Sequence, residues 1–136
     1  MRAVLDVNVL ISAVLSPRGS PAALLLAWQR GDFELIVSAL LLAELRRALT
    51  YPKLRRRIPQ ADAERFVAWL ATNATMAPDP DPPYAHHSMD PADDYLIALA
   101  AGASALLVSG DGHLLSLAES LPVHSPSEVR ALIGEG

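Results

Sequence analysis

The chain has 136 residues, 51% hydrophobic and 19% charged, which points to one domain with a real core and excludes disorder or low complexity. It contains no cysteine, so a disulfide scaffold, a Cys-ligated zinc, an iron–sulfur cluster and a thiol nucleophile are all excluded. A formal net charge of −4 argues at first sight against a nucleic-acid partner.

In chain order, Arg2 to Leu5 is a short apolar run that reads as a buried strand ending at Asp6. Asn8 to Leu15 reads as a helix, broken by Ser16-Pro17-Arg18-Gly19. Ser20-Pro21 is the start of a second helix, a hydroxyl N-cap followed by a first-turn proline, and Gly31 is its stop. Phe33 to Val37 is a second strand, and Ser38 caps a helix from Ala39 to Thr50. The basic segment Lys53 to Arg57 leads to a helix over Ala61 to Thr72, with Phe66, Val67, Trp69 and Leu70 on one face. Residues 78–83, Pro-Asp-Pro-Asp-Pro-Pro, form a stiff, non-helical crossing. Asp90-Pro91-Ala92-Asp93 opens an interior helix that ends at Gly102. Ala105 to Val108 is a third strand, followed by the sharp turn Gly110-Asp111-Gly112. Leu121 to His124 is expected as a last strand, and Ser125-Pro126-Ser127-Glu128 is a capping box starting the terminal helix.

Strands that alternate with helices and are continuously apolar indicate a parallel sheet covered on both faces. The expected fold is α/β, a three-layer α/β/α domain over residues 1–136 with a central parallel sheet of four to five strands. Ligands of such sheets bind beyond the carboxyl ends of the strands. Asp6 and Asp111 both belong at that edge.

Four sets of acids are candidates to meet there: Asp6, Glu44, the Asp90/Asp93/Asp94 group and Asp111. Each has an ordinary structural reading. Asp6 and Asp111 serve equally as turn residues, Asp90 is most economically an N-cap, and Asp93 complements the helix dipole. Glu44 sits among Leu40, Leu41, Leu42 and Leu45, and Asp94 precedes Tyr95-Leu96-Ile97-Ala98 in the interior helix, where a charge needs a partner. Gathered without nearby Lys or Arg, such carboxylates repel and their pKa values rise, which a hard divalent cation relieves. Oxygen donors alone suit Mg²⁺ or Mn²⁺ rather than zinc, and phosphodiester hydrolysis is the chemistry such a site serves best. Asn8 and Ser109 are placed to orient an acid or a water.

These segments resemble the PIN-domain ribonuclease family, in particular its VapC-like toxin components of bacterial toxin–antitoxin pairs. Val4-Leu5-Asp6-Val7-Asn8-Val9-Leu10-Ile11-Ser12-Ala13 is similar to the family's first motif, and Ser38-Ala39-Leu40-Leu41-Leu42-Ala43-Glu44-Leu45 to the segment carrying its helical Glu. Asp90-Pro91-Ala92-Asp93-Asp94-Tyr95-Leu96 and Val108-Ser109-Gly110-Asp111-Gly112-His113 resemble the third and fourth acidic motifs. The match runs in order along nearly the whole chain, with Val7 and Ser109 where the family commonly has Thr. The resemblance implies Asp6, Glu44, Asp94 and Asp111 as catalytic, metal-binding acids, with Asp93 the adjacent alternative to Asp94. It implies a Mg²⁺- or Mn²⁺-dependent endoribonuclease acting as a toxin, with RNA as substrate, a cognate antitoxin and a homodimer. A non-catalytic PIN-like binding module with a structural metal is the alternative. A phosphatase-like hydrolase using Asp6 as nucleophile is weaker, because residues 66–129 hold no Lys or Arg to bind phosphate.

Charge is unevenly spread. Seven of the 11 basic residues fall within 46–65, just after Glu44, and Arg46, Arg47, Lys53 and Arg55 are candidate substrate contacts. His86-His87 reads as a surface loop pair, His113 as a helix-start or phosphate-contacting residue, and His124 as a packing residue. Trp28 and Trp69 read as core or dimer packing. The longest nearly uncharged apolar stretch, Leu96 to Val108, is 13 residues, short of the roughly 20 a membrane span needs. With Asp6 where a signal peptide would continue its apolar run, a soluble cytoplasmic protein is expected.

Overall fold

The computed structural model describes residues 1–85, 93–118 and 121–134, the His113 side chain excepted. Its elements are β1 (Arg2–Leu5), α1 (Val7–Leu15), α2 (Ser20–Gln29), β2 (Glu34–Val37), α3 (Ala39–Ala48), α4 (Pro52–Arg55) and α5 (Gln60–Asn73). They continue as β3 (Thr75–Met76), α6 (Asp94–Gly102), β4 (Leu106–Val108), α7 (Gly112–Leu115), β5 (Val123–His124) and α8 (Pro126–Gly134).

The five strands form one parallel sheet in the order β3-β2-β1-β4-β5. Ala3, Val4 and Leu5 are each fully buried, although successive residues of a strand point to opposite faces. Helices therefore cover both faces, which is why β1 has no polar alternation. α6 packs on β1 and β4, while α1, α2, α3, α5 and α8 pack against one another in the pairs α1–α2, α2–α8, α1–α3 and α3–α5. No single helix among the described residues is long and apolar enough to cross a membrane.

Several local expectations hold for the reasons given. Gly31 takes a φ of 86° and closes α2, its N–H donating to the Trp28 carbonyl at 2.9 Å. Ser38 Oγ accepts from the Leu41 N–H at 3.2 Å and caps α3. At α8 the capping box is reciprocal: Ser125 N–H donates to Glu128 at 3.1 Å and Glu128 N–H donates to Ser125 Oγ at 3.2 Å.

Others differ. Ser20 is the first residue of α2, and its N-cap is Gly19, which offers no side-chain acceptor. Gly102 lies within α6, and the left-handed residue after the helix is Ser104 with a φ of 54°. The basic segment contains a helical turn, α4, opened by Pro52. β3 has no signature of its own, being two residues held at the sheet edge by pairing with Ile36 and Val37 of β2. The expected helix opening and N-cap at Asp90 lie outside the described residues, as does the His86-His87 pair.

A candidate active site at the switch point of the sheet

From β1 the chain winds outward through β2 to β3, then returns to the other side of β1 for β4 and β5. The carboxyl ends of β1 and β4 flank this reversal, where a cleft opens in sheets of this kind. Asp6 follows β1 directly, and its N–H donates to the Val108 carbonyl of β4 at 3.0 Å. It is also the N-cap of α1, its Oδ1 accepting from the Val9 N–H at 2.8 Å.

Ser109, fully buried just past β4, joins the two acids of this edge. Its hydroxyl donates to Asp6 Oδ2 at 2.5 Å and accepts from the Asp111 N–H at 2.9 Å. One rotatable O–H thus fixes both the Asp6 carboxylate and the loop that carries Asp111. Asp6 is itself buried, with only 5% of the residue exposed. Burial pushes its pKa up, and the neighbouring Asp111 charge pushes in the same direction. The Ser109 hydroxyl and the Val9 and Asn8 N–H groups oppose this without reversing it. Ser109→Ala is expected to leave a buried Asp6 oxygen and the Asp111 N–H without this partner and to cost about 1–3 kcal/mol. Urea denaturation checks it, and Ser109→Thr, which keeps the hydroxyl, should lose less.

The second acidic group lies across α3 and α6. α6 ends beside the start of β1, where Arg2 Nη1 donates to the Ala103 carbonyl at 2.6 Å. Its other end therefore reaches toward the carboxyl edge, roughly 13 Å away for a helix of this length. That end carries Asp94, which is 5% exposed, and the adjacent, buried Tyr95. Tyr95 donates its O–H to Glu44 Oε2 of α3 at 3.3 Å. Burial and the Glu44 charge, followed by Asp93 and Asp79, push the Tyr95 pKa up, so the phenol keeps its proton and remains a donor. Asp93 occupies the N-cap position of α6 without a side-chain capping bond.

Asp111 is thus brought to Asp6 through Ser109, and Glu44 to the first turn of α6 through Tyr95. Among the described residues, no three His, Asp or Glu side chains are gathered closely enough to hold a metal ion. The expectation that the acids lack nearby cations is corrected at Glu44, where Arg47 approaches Oε1 to 3.7 Å. Arg47 is largely exposed, so this pair contributes little to stability. Arg46, two residues after Glu44, is turned about 200° around α3. It lines a different pocket with Arg55, so the basic cluster is not a single wall of the acidic site. Asn8 is exposed and, with Asp111, lines a cleft of about 360 Å³ that also includes Ser12, Pro21, Gly110 and Pro126.

Trp28 and Trp69 pack on one another with ring centroids 5.0 Å apart, as packing residues should. His124 sits in β5 with Nδ1 3.7 Å from Glu128. The residue sequence reading missed is Tyr95, whose signal was a lone phenol beside Asp94 in an otherwise aliphatic helix.

The PIN domain profile matches residues 2–113. The chain belongs to the PIN domain family. The fold is similar to that of PAE2754 from Pyrobaculum aerophilum, with a TM-score of 0.67 at 15% identity over 100% of this chain and 91% of that one. It is also similar to VapBC2 from Rickettsia felis bound to a DNA fragment from their promoter (TM-score 0.65, 13% identity, 92% and 98% covered). FitAcB from Neisseria gonorrhoeae gives a TM-score of 0.60 at 24% identity, with 92% and 98% covered. Among curated proteins, none matches the sequence. This PIN domain thus combines a five-stranded parallel sheet with two acidic groups, one joined through Ser109 and the other through Tyr95.

Proposed function

We propose that this PIN domain is a divalent-metal-dependent endoribonuclease and the toxin of a toxin–antitoxin pair, acting in the cytoplasm. The observation that carries this reading is Asp6: a buried carboxylate at the sheet's switch point, its pKa raised, with a second acid beside it. Such an arrangement costs stability and is retained where a cation is to be bound. The donor set fits Mg²⁺ or Mn²⁺ in kind, since it offers carboxylate oxygens and no sulfur. Asp6, Asp111, Asp94 and Glu44 would hold the ion or ions, with Asp93 beside Asp94. When bound, a divalent ion supplies an acidified water and neutralises charge that develops on the phosphoryl group.

The chain's own residues do the positioning. Val9 N–H and Ser109 Oγ each hold one Asp6 oxygen in a fixed orientation. Tyr95 holds Glu44 in place as a neutral donor. Asn8, exposed and lining the same cleft as Asp111, would bond a phosphate oxygen or the attacking water. Water attacks phosphorus in line, the bond to O3′ breaks, and that oxygen takes up a proton. The products are a 5′-phosphate and a 3′-hydroxyl. Likeness in fold to VapBC2 and FitAcB supports an antitoxin partner, and the homodimer rests on the resemblance of the sequence motifs alone.

The test is incubation of the purified protein with end-labelled single-stranded RNA and Mg²⁺ or Mn²⁺. Cleavage is expected, and it should vanish with EDTA or in Asp94→Asn. Cleavage surviving either treatment would falsify the site. Absence of cleavage on any RNA would leave a non-catalytic binding module instead.

A further inference from the structure

We infer that the segment joining α3 to α5 is a docking surface for single-stranded RNA, on which Tyr51 stacks an unpaired base while Lys53, Arg56 and Arg57 hold neighbouring phosphates. The ribonuclease reading enters only in naming RNA as the strand; the surface itself stands on separate observations.

Residues 45–57 contain six cations and no acid, in a chain whose net charge is −4. The surroundings leave most of that charge unneutralised. Arg47 is taken by Glu44, while Arg55 and Arg56 donate only to the backbone carbonyls of Leu49 and Pro52, each at 3.3 Å. Arg46, Lys53 and Arg57 pair with no acid among the described residues. Lys53, Arg56 and Arg57 are exposed.

Of the seven aromatic residues in the chain, Tyr51 is the one classed as exposed, at 55%, and it lies inside this segment. Its backbone is fixed: the N–H donates to Ala48 at 3.2 Å, and the carbonyl accepts from Leu54 and Arg55. An exposed phenol ring on a pinned backbone, flanked in sequence by exposed cations, is the combination that binds single strands, since every base has a face to stack. A duplex hides its bases and would gain only the phosphate contacts.

Beside this platform lies a pocket of about 190 Å³, floored by Leu49, Ala63 and Val67 and rimmed by Arg46, Thr50 and Arg55. Arg55 Nε is buried there with no hydrogen-bond partner. Glu64 also lines the pocket, held by Gln60 at 3.0 Å. An apolar floor with donors at its rim suits a planar base with a polar edge. Because Arg46 and Glu44 lie on opposite flanks of α3, strand docking here is separable from the acidic site.

The experiment uses the full chain in EDTA and a fluorescein-labelled, mixed-sequence 12-nucleotide RNA read by anisotropy, with circular dichroism to confirm folding. Tyr51→Ala is expected to weaken binding about tenfold, and Tyr51→Phe to leave it within about twofold. The triple variant Lys53→Gln, Arg56→Gln, Arg57→Gln should flatten the slope of log Kd against log salt by about 2. Removing three exposed cations elsewhere, in Arg18→Gln, Arg30→Gln, Arg130→Gln, should flatten it far less; an equal effect would overturn the proposal. So would a duplex of the same sequence showing the same loss with Tyr51→Ala, or a matching DNA strand bound tenfold more tightly. Polyglutamate binding that matches the RNA and falls equally with Tyr51→Ala would assign the surface to an acidic protein instead. Wild-type protein that binds as described but cleaves no RNA removes the ribonuclease and keeps the surface. Intact cleavage with Tyr51→Ala binding like wild type removes the surface alone.

Discussion

Replacing Asp6 by Asn is expected to raise the melting temperature of the metal-free protein at pH 7 while sharply reducing RNA cleavage. The two effects share one cause. Burial and the Asp111 charge raise the Asp6 pKa above its ordinary value of 3.8, so the folded chain holds this proton more tightly than the unfolded chain does. Stability from this group is fully present below pH 3.8 and is lost as pH rises from there through the raised folded value. At neutral pH the ionised carboxylate is therefore a burden. Asparagine removes it, still accepts from Val9 N–H through its carbonyl, and can donate to Ser109. Thermal melts from pH 4 to 8 in EDTA check this: the variant should lose less stability than the wild type across the window. A variant less stable than wild type at pH 7 would show that the Asp6 hydrogen bonds outweigh its desolvation. Cleavage should fall by about 10²–10⁴-fold, the loss expected when several kcal/mol of transition-state charge stabilisation disappear.

The second large effect is expected from Leu107→Ala. Leu107 is 1% exposed at the middle of β4, in register with Val4 of β1 and Val123 of β5. Truncating a buried leucine removes transfer energy and leaves a cavity that a sheet walled on both faces closes poorly, at about 2–5 kcal/mol. That is a large share of the roughly 5–15 kcal/mol that separates a domain from its unfolded state. A fall in melting temperature of about 10–20 °C is expected by circular dichroism. β4 also delivers Ser109, and through it the orientation of Asp6 and Asp111, so cleavage below the melting point should fall as well. A melting temperature unchanged within about 2 °C would contradict the tight packing of this strand.

Much of the fold is written locally. β1, β2 and β4 were legible as apolar runs because residues buried on both faces need no polar alternation. Caps at Ser38 and Ser125 were legible because only short polar side chains reach the free N–H groups of a first turn. The two-residue β3 was not, since its place depends on pairing with β2 rather than on any pattern in Thr75-Met76. Nor was α4, where helical geometry in a single turn follows from Pro52 and the packing of Leu54.

The net charge of −4 is an average over an acidic sheet edge and a separate basic segment. Sequence alone determined the residue types and the edge: acids at the ends of strands, with no sulfur among the candidate donors and few cations in the second half. Tertiary structure alone decided the groupings. Ser109 reaches Asp6 across 103 positions and ties it to Asp111, and Tyr95 joins Glu44 to α6 across 51. The turn of about 200° between Glu44 and Arg46 sends neighbours in sequence to opposite flanks of one helix. The physical reason is range. Caps and periodicity are settled within a few residues, whereas burial, pKa and the choice of partner depend on strands and helices that meet only after the chain has folded.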